Sequence, residues 1–220
     1  MLKHLGKENS IVNHFVEELR DCLIQKDSMR FRRNMERIGE VFAYEISKTL
    51  EYEDKEVVTP LGTANMKLLK SYPVLTTILR AGLPLQQGLL NIYDKSNCGF
   101  ISAYRKYKKN GTFHIQLENV SCPNIADKVL VIADPMLATG QSMVLAYKEL
   151  VSTKGKPKHV HIVSVIASVE GIEYIKKNIG MDNCTLWVAA IDDELTAQAY
   201  IVPGLGDAGD LSYGEKEHDL

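Results

Sequence analysis

Hydrophobic positions fall into two regimes along the chain. Over roughly the first fifty residues, apolar side chains recur every three or four positions: Ile11, Phe15, Leu19 and Cys22, then Phe31, Met35, Ile38, Phe42 and Ile46. That spacing predicts one apolar stripe on each of two helices, and Asp27-Ser28 offers a cap for the second. Such stripes read as core or subunit contacts rather than as a cofactor site. Residues 51–70 are charged and mixed, which predicts a short hairpin or loop. Beyond them the pattern changes to apolar runs. Strands are predicted at 74–79, 99–104, 128–133, 160–167 and 186–190, and helices at 85–92, 142–151 and 171–178. Strands alternating with helices predict an α/β fold, with right-handed crossovers and a largely parallel central sheet flanked by helices. The sequence has no internal repeat, low-complexity tract or linker. One domain over 1–220 is expected, with a helical arm at about 9–50 and an α/β core at about 72–190.

The run Val129-Leu130-Val131-Ile132-Ala133 has no polar alternation, as in a strand buried on both faces. It leads into Asp134-Pro135-Met136-Leu137-Ala138-Thr139-Gly140-Gln141-Ser142. Open parallel sheets take their ligands beyond the carboxyl ends of the strands, so this acid and turn lie where a site is expected. Thr139-Gly140 permits a tight turn, and the N–H groups of Ala138 to Ser142 can converge on one anion at a helix start. An acid for sugar hydroxyls beside a phosphate nest points to a sugar-phosphate ligand. The plain alternative is an ordinary strand–turn–helix connection. A Walker loop is excluded, since no Gly-Lys-Ser/Thr follows.

Other segments carry weaker signals. Arg80 leaves a strand for the turn Ala81-Gly82, where a guanidinium can grip a pair of phosphate oxygens, or serve only as a surface ion-pair partner. Arg105 opens the basic stretch Arg105-Lys106-Tyr107-Lys108-Lys109-Asn110-Gly111, whose Asn-Gly is a hairpin turn signal. Gly204-Leu205-Gly206-Asp207-Ala208-Gly209 satisfies the dinucleotide pattern, but only a short polar tail follows where a βαβ unit is required. Its glycines either let bare backbone approach a flat ligand or form only a glycine-rich turn. His159 and His161 share one face of a strand with no third ligand near in sequence, so a solvated strand start is expected rather than a metal site.

Composition narrows the classes. At 220 residues, 45% hydrophobic and 25% charged, the chain reads as a globular protein with a sizeable core. A formal charge of −2 disfavours a nucleic-acid binder held by bulk electrostatics. Cys22, Cys98, Cys122 and Cys184 are far apart and predict reduced, mostly buried thiols. The N-terminus lacks the apolar core of a signal peptide and no stretch approaches a membrane span, so the cytoplasm is expected.

Three segments, in order, resemble the phosphoribosyltransferase family and its uracil-specific branch. Asp134 through Ser142 resembles the loop that binds phosphoribosyl pyrophosphate (PRPP). Ile78-Leu79-Arg80-Ala81-Gly82-Leu83 resembles the pyrophosphate loop, and Tyr200-Ile201-Val202-Pro203-Gly204-Leu205-Gly206-Asp207-Ala208-Gly209-Asp210 the uracil loop. The likeness spans roughly residues 28–214. It implies a type I phosphoribosyltransferase fold with a C-terminal hood over the base at 200–210, and conversion of uracil and PRPP to UMP and pyrophosphate. It implies catalytic roles for Asp134, Asp207 and Arg105. It implies PRPP contacts from Arg80, Arg105, Asp134, Pro135, Met136, Leu137, Ala138, Thr139, Gly140, Gln141, Ser142 and Asp207, and uracil contacts from Ile201, Gly206, Asp207 and Ala208. Tyr200 either covers the base or is an ordinary buried tyrosine. Mg²⁺ is implied as arriving with PRPP, without a dedicated protein cage. A homo-oligomer is expected from the apolar N-terminal helices, and GTP is an effector in some relatives. Neither nucleic acid nor membrane is an expected partner.

Two positions depart from the family pattern. Pro135 follows Asp134 where many related transferases carry a second acid, as is usual in the uracil branch. Gln141 stands where that branch usually has glycine. The rival readings are a pyrimidine-sensing, RNA-binding regulator on the same fold and a PRPP binder that has lost catalysis.

Overall fold

The computed structural model describes residues 1–107 and 113–215, and of residues 104–107 and 113–115 the backbone only. The chain opens with strand β1 (Leu2–His4), a single 3-10 turn, and helices α1 (Val12–Arg20) and α2 (Ser28–Ser47). The hairpin β2 (Tyr52–Thr59) and β3 (Gly62–Leu69) follows, then β4 (Val74–Leu79), α3 (Leu83–Ile92), β5 (Cys98–Tyr107) and β6 (Phe113–Ser121). Next come β7 (Val129–Ala133), the two-residue β8 (Met136–Leu137), α4 (Gln141–Lys154), β9 (His159–Ser168), α5 (Val169–Asn178) and β10 (Cys184–Asp192). A short hairpin, β11 (Glu194–Leu195) with β12 (Ile201–Val202), leads to α6 (Ala208–Tyr213).

The main sheet runs in the order β1-β10-β9-β7-β4-β5-β6, with β8 paired to β9 off this path. Every pairing is parallel except β5 with β6. The apolar runs divide their residues between two helical layers, because successive strand side chains point to opposite faces. Leu75, Val131 and Val163 join Phe31, Met35 and Phe42 of α2 in one core. Val74, Leu130, Ile132 and Ile162 join Met143 and Leu150 of α4 and Ile175 of α5 in the other.

Chain path locates the site. From β4 the chain crosses through α3 to β5, whereas from β7 it crosses through α4 to β9, on the opposite side. The carboxyl ends of β4 and β7 therefore diverge at a topological switch point, where such sheets open a crevice. Buried Thr77 ties the two ends together, its hydroxyl donating to the Ala133 carbonyl at 2.9 Å.

Several expectations are corrected. In α1 the buried stripe is Val12, Val16 and Leu19, while Ile11 is exposed and Cys22 lies beyond the helix end at Arg20. The α2 stripe is as expected, and the Asp27 carboxylate accepts from the Met29 and Arg30 N–H groups. Among the cysteines, Cys22 is exposed, Cys98 and Cys122 are half-buried and Cys184 is buried. His161 is not solvated. It is 3% exposed, and the Trp187 indole N–H donates to its Nδ1 at 3.1 Å. Burial, with the ring of His159 4.6 Å away, pushes its imidazole down to about 3.

Candidate active site

The loop after β7 is held before it can hold anything else. The Asp134 N–H donates to the Val163 carbonyl, and the Pro135 carbonyl accepts from Val165 and Ile166, all at 3.0 Å. Met136 and Leu137 then pair with Ile166 and Ala167 of β9. The loop thus continues the sheet for four residues beyond β7. It leaves the sheet at Ala138, whose carbonyl accepts from the Ser168 hydroxyl at 2.5 Å. Ser168 also accepts from the Gly171 N–H at 2.8 Å, capping α5.

Gly140 makes the turn into α4 with φ +75°. A Cβ there would stand 3.0 Å from the Gly171 carbonyl oxygen and 3.3 Å from the Tyr174 ring. Conformation and space both select glycine. No side chain caps α4, so its first turn presents N–H groups and a partial positive charge toward the crevice. Gln141 is the first residue of α4 and is exposed, its own N–H only 3.4 Å from the Thr139 hydroxyl.

Across the crevice, β11 and β12 carry residues 199–209 back over the strand ends. Ile201, Leu205 and Ala208 are nearly buried, packed into the α2-side core. With their side chains anchored, main chain is left to face a ligand. Gly206 turns at φ +90°, and the Asp207 carboxylate accepts from the Gly209 and Asp210 N–H groups at 2.8 and 3.0 Å, capping α6. That segment is not a dinucleotide fingerprint: a two-residue strand precedes it and a six-residue helix follows.

A cavity of about 140 Å³ lies between the two loops. Asp134, Met136 and Ala138 line it from one side, Ala81 from the β4 loop, and Tyr200, Ile201, Gly206, Asp207 and Ala208 from the other. Pro135 and Leu137 are buried beneath it, so any ligand meets their backbone at most. Clefts of about 570 and 630 Å³ open elsewhere, beside His4 and Arg20 and at the amino ends of β7 and β9. Neither contains a residue that the sequence singles out for the PRPP, pyrophosphate or base loops, and we assign the chemistry to the strand carboxyl ends.

Arg80 is already engaged. Its Nη2 donates to the Asp210 carboxylate and to the Gly214 carbonyl, both at 3.1 Å, while its buried Nε has no partner. The guanidinium thus reaches from the β4 turn to the C-terminal segment around α6. Arg105 sits in β5 opposite Ile115, with its side chain outside the described atoms, and the Asn110-Gly111 turn lies outside the described residues.

A family model for uracil phosphoribosyltransferase matches residues 7–214. The chain belongs to the uracil phosphoribosyltransferase family. A uracil phosphoribosyltransferase from Porphyromonas gingivalis is 56% identical over 97% of this chain and 98% of its own length. One from Thermococcus gammatolerans is 36% identical over 94% of this chain and 91% of its own. A solved structure of an Aquifex aeolicus protein superposes with a TM-score of 0.85 at 28% identity, covering 99% of this chain and all of that one.

Within this family member, sequence reasoning missed three groups that shape the site: Ser168, Thr77, and the ion pair of Arg20 with Asp192. Ser168 carried one usable signal, a serine between an apolar strand and a helix with glycine three positions on. The Arg20–Asp192 pair spans 172 residues and carried none.

Proposed function

We propose that the protein transfers the phosphoribosyl group of PRPP to uracil, giving UMP and pyrophosphate. The cavity carries this reading, because it joins a strand-end acid and Ala138, two residues before the uncapped α4 start, to a loop of anchored side chains and bare backbone. The bond from the ribose anomeric carbon to pyrophosphate breaks as the bond from uracil N1 forms, through an oxocarbenium-like transition state, and N1 loses its proton to solvent or to the departing pyrophosphate. Enzymes of this kind act by holding both partners in line and by placing charge. Asp134 accepts from ribose hydroxyls, and the start of α4 takes the 5′-phosphate. Arg80 and Arg105 offset the charge of the departing pyrophosphate. Main-chain groups of Ile201, Gly206 and Ala208 read the uracil edge, with the Asp207 carboxylate facing the positive charge on the ribose.

Mg²⁺ fits this arrangement as a companion of PRPP. Among the described residues no cluster of three or more side chains has the makings of a metal cage. Asp134 and Asp207 both line the cavity, and carboxylate oxygens are the donors a hard cation takes. Asp134 and Asp207 would hold such an ion, which would supply positive charge against the pyrophosphate.

A cytoplasmic homo-oligomer belongs to the same proposal. No described helix is long and apolar enough to cross a membrane. Val58, Leu61 and Met66 on the β2–β3 hairpin stay exposed, which supports association of copies. Light scattering tests the assembly, and added GTP in the assay tests that nucleotide as an effector. The activity itself is tested by incubating the purified chain with radiolabelled uracil, PRPP and Mg²⁺. UMP and pyrophosphate formed in equal amounts support the reading, and no UMP at any protein concentration sinks it.

A further inference from the structure

Three groups from distant parts of the chain close into one hydrogen-bonded ring behind the base loop. Arg20 ends α1, Asp192 ends β10, and Gly204 lies within the loop, between Ile201 and Gly206. The guanidinium grips the carboxylate with both arms, Nη1 to Oδ2 and Nη2 to Oδ1, each at 2.8 Å. Nη1 also donates to the Gly204 carbonyl at 2.9 Å, while the Gly204 N–H donates to Asp192 Oδ2 at 2.9 Å. One ion pair therefore satisfies both backbone groups of a single residue. That residue has φ +56°, and a Cβ on it would stand 2.1 Å from the Ile201 carbonyl oxygen. Asp192 is 6% exposed, so its charge is shielded from water and the pair is directional.

We infer that Arg20 and Asp192 are positioning residues for the base, setting the height and tilt of the backbone that reads uracil. The inference rests on the proposed reading of that loop. Neither residue lines the cavity, so neither touches a base there. They act through Gly204, two positions from Gly206 and adjoining buried Leu205. The opposite side of the loop is held separately, through the Asp207 cap and the Arg80–Asp210 pair. Losing the ring frees only the 201–206 side of the loop, leaving the PRPP loop held by β9 and Ser168. The consequence is selective: binding of the base weakens and binding of PRPP does not.

Arg20→Lys is the first test. Lysine keeps the charge but cannot supply the fork that bonds both carboxylate oxygens and the Gly204 carbonyl together. The uracil KM is expected to rise about tenfold, with the PRPP KM within about twofold and the melting temperature nearly unchanged. Asp192→Asn, which keeps shape and loses charge, is expected to show the same split. Arg20 also borders the 570 Å³ cleft, which gives small cations a route to its position. Guanidinium at sub-denaturing concentration is therefore expected to restore the uracil KM of Arg20→Ala. An unchanged uracil KM in folded Arg20→Lys, an equal rise in both KM values, or no rescue would each overturn the inference. Hydrogen exchange separates this from failure of the functional reading. Faster exchange at the Gly204, Leu205 and Gly206 amides in Arg20→Lys upholds the clamp even if the wild type makes no UMP. Unchanged exchange overturns it.

Discussion

Gly140 and Gln141 are adjacent, yet they are expected to respond to substitution in opposite ways. Gly140 holds φ +75° against the Gly171 carbonyl, so Gly140→Ala adds roughly 1–2 kcal/mol of backbone strain at the turn into α4. Steady-state kinetics are expected to show the PRPP KM rising about tenfold, with the uracil KM little changed. Gln141 is exposed, and the proposed phosphate nest is made of backbone N–H groups. Gln141→Gly is therefore expected to leave the PRPP KM within about threefold, because the substitution removes an exposed side chain and keeps the backbone N–H groups. A loss beyond tenfold would give the glutamine a contact with PRPP. The glycine was legible as a turn residue beside an acid, whereas the direction of the glutamine side chain depends on the whole helix start.

Elements set the loops, and two of them do so through polar groups inside the fold. Ser168 caps α5 and holds the Ala138 carbonyl, so Ser168→Ala removes a cap worth about 1–2 kcal/mol. A fall in melting temperature of roughly 2–8 °C is expected, together with a higher PRPP KM, since the turn at Ala138 loses its anchor. A stability loss with unchanged PRPP KM would confine Ser168 to the helix. At the other end of β9, His161 is held neutral by burial, its imidazole pushed from 6.5 to about 3. Below pH 6.5 the unfolded chain takes up a proton there that the folded one refuses. Its contribution to stability is thus full above pH 6.5 and is lost progressively as pH falls toward 3, by up to about 1.4 kcal/mol per pH unit. His161→Asn keeps an acceptor for the Trp187 indole and does not titrate. Denaturant melts between pH 7 and 4 are expected to show a shallower acid decline in this variant. An identical slope would place the acid sensitivity elsewhere.

The whole molecule was legible where one signal dominated. The α2 stripe has a cap and an unbroken helical period, and the buried strands are apolar without alternation, so both were readable from sequence. In α1 two apolar sets overlap one residue apart, and only packing against the sheet selects Val12 and Val16 over Ile11 and Phe15. Three-residue β1 has no room for a period and is not legible in the sequence, and β6, which mixes polar residues along an edge, is legible only as the return arm that the Asn110-Gly111 hairpin signal implies. The candidate site followed the same rule. Contiguous loops were readable from their own residues, whereas the Arg20–Asp192–Gly204 ring and the Arg80–Asp210 pair exist only once distant segments meet.

Base choice probes the complete arrangement at once. Uracil presents a ring N–H between two carbonyl acceptors, whereas cytosine presents a bare ring nitrogen and an amino group along the same edge. If backbone groups at Ile201, Gly206 and Ala208 match uracil, cytosine sets donor against donor and acceptor against acceptor in a cavity of about 140 Å³. Sites built on such polar matching reject the wrong ligand by roughly 10⁴ or more. The decisive measurement is competition between uracil, 5-fluorouracil, cytosine and hypoxanthine for PRPP, with each nucleotide product quantified. Uracil and 5-fluorouracil, alike along that edge, are expected to be converted, with cytosine and hypoxanthine at or below about one part in 10⁴. Comparable turnover of cytosine or hypoxanthine would contradict the uracil assignment, even with PRPP as the donor.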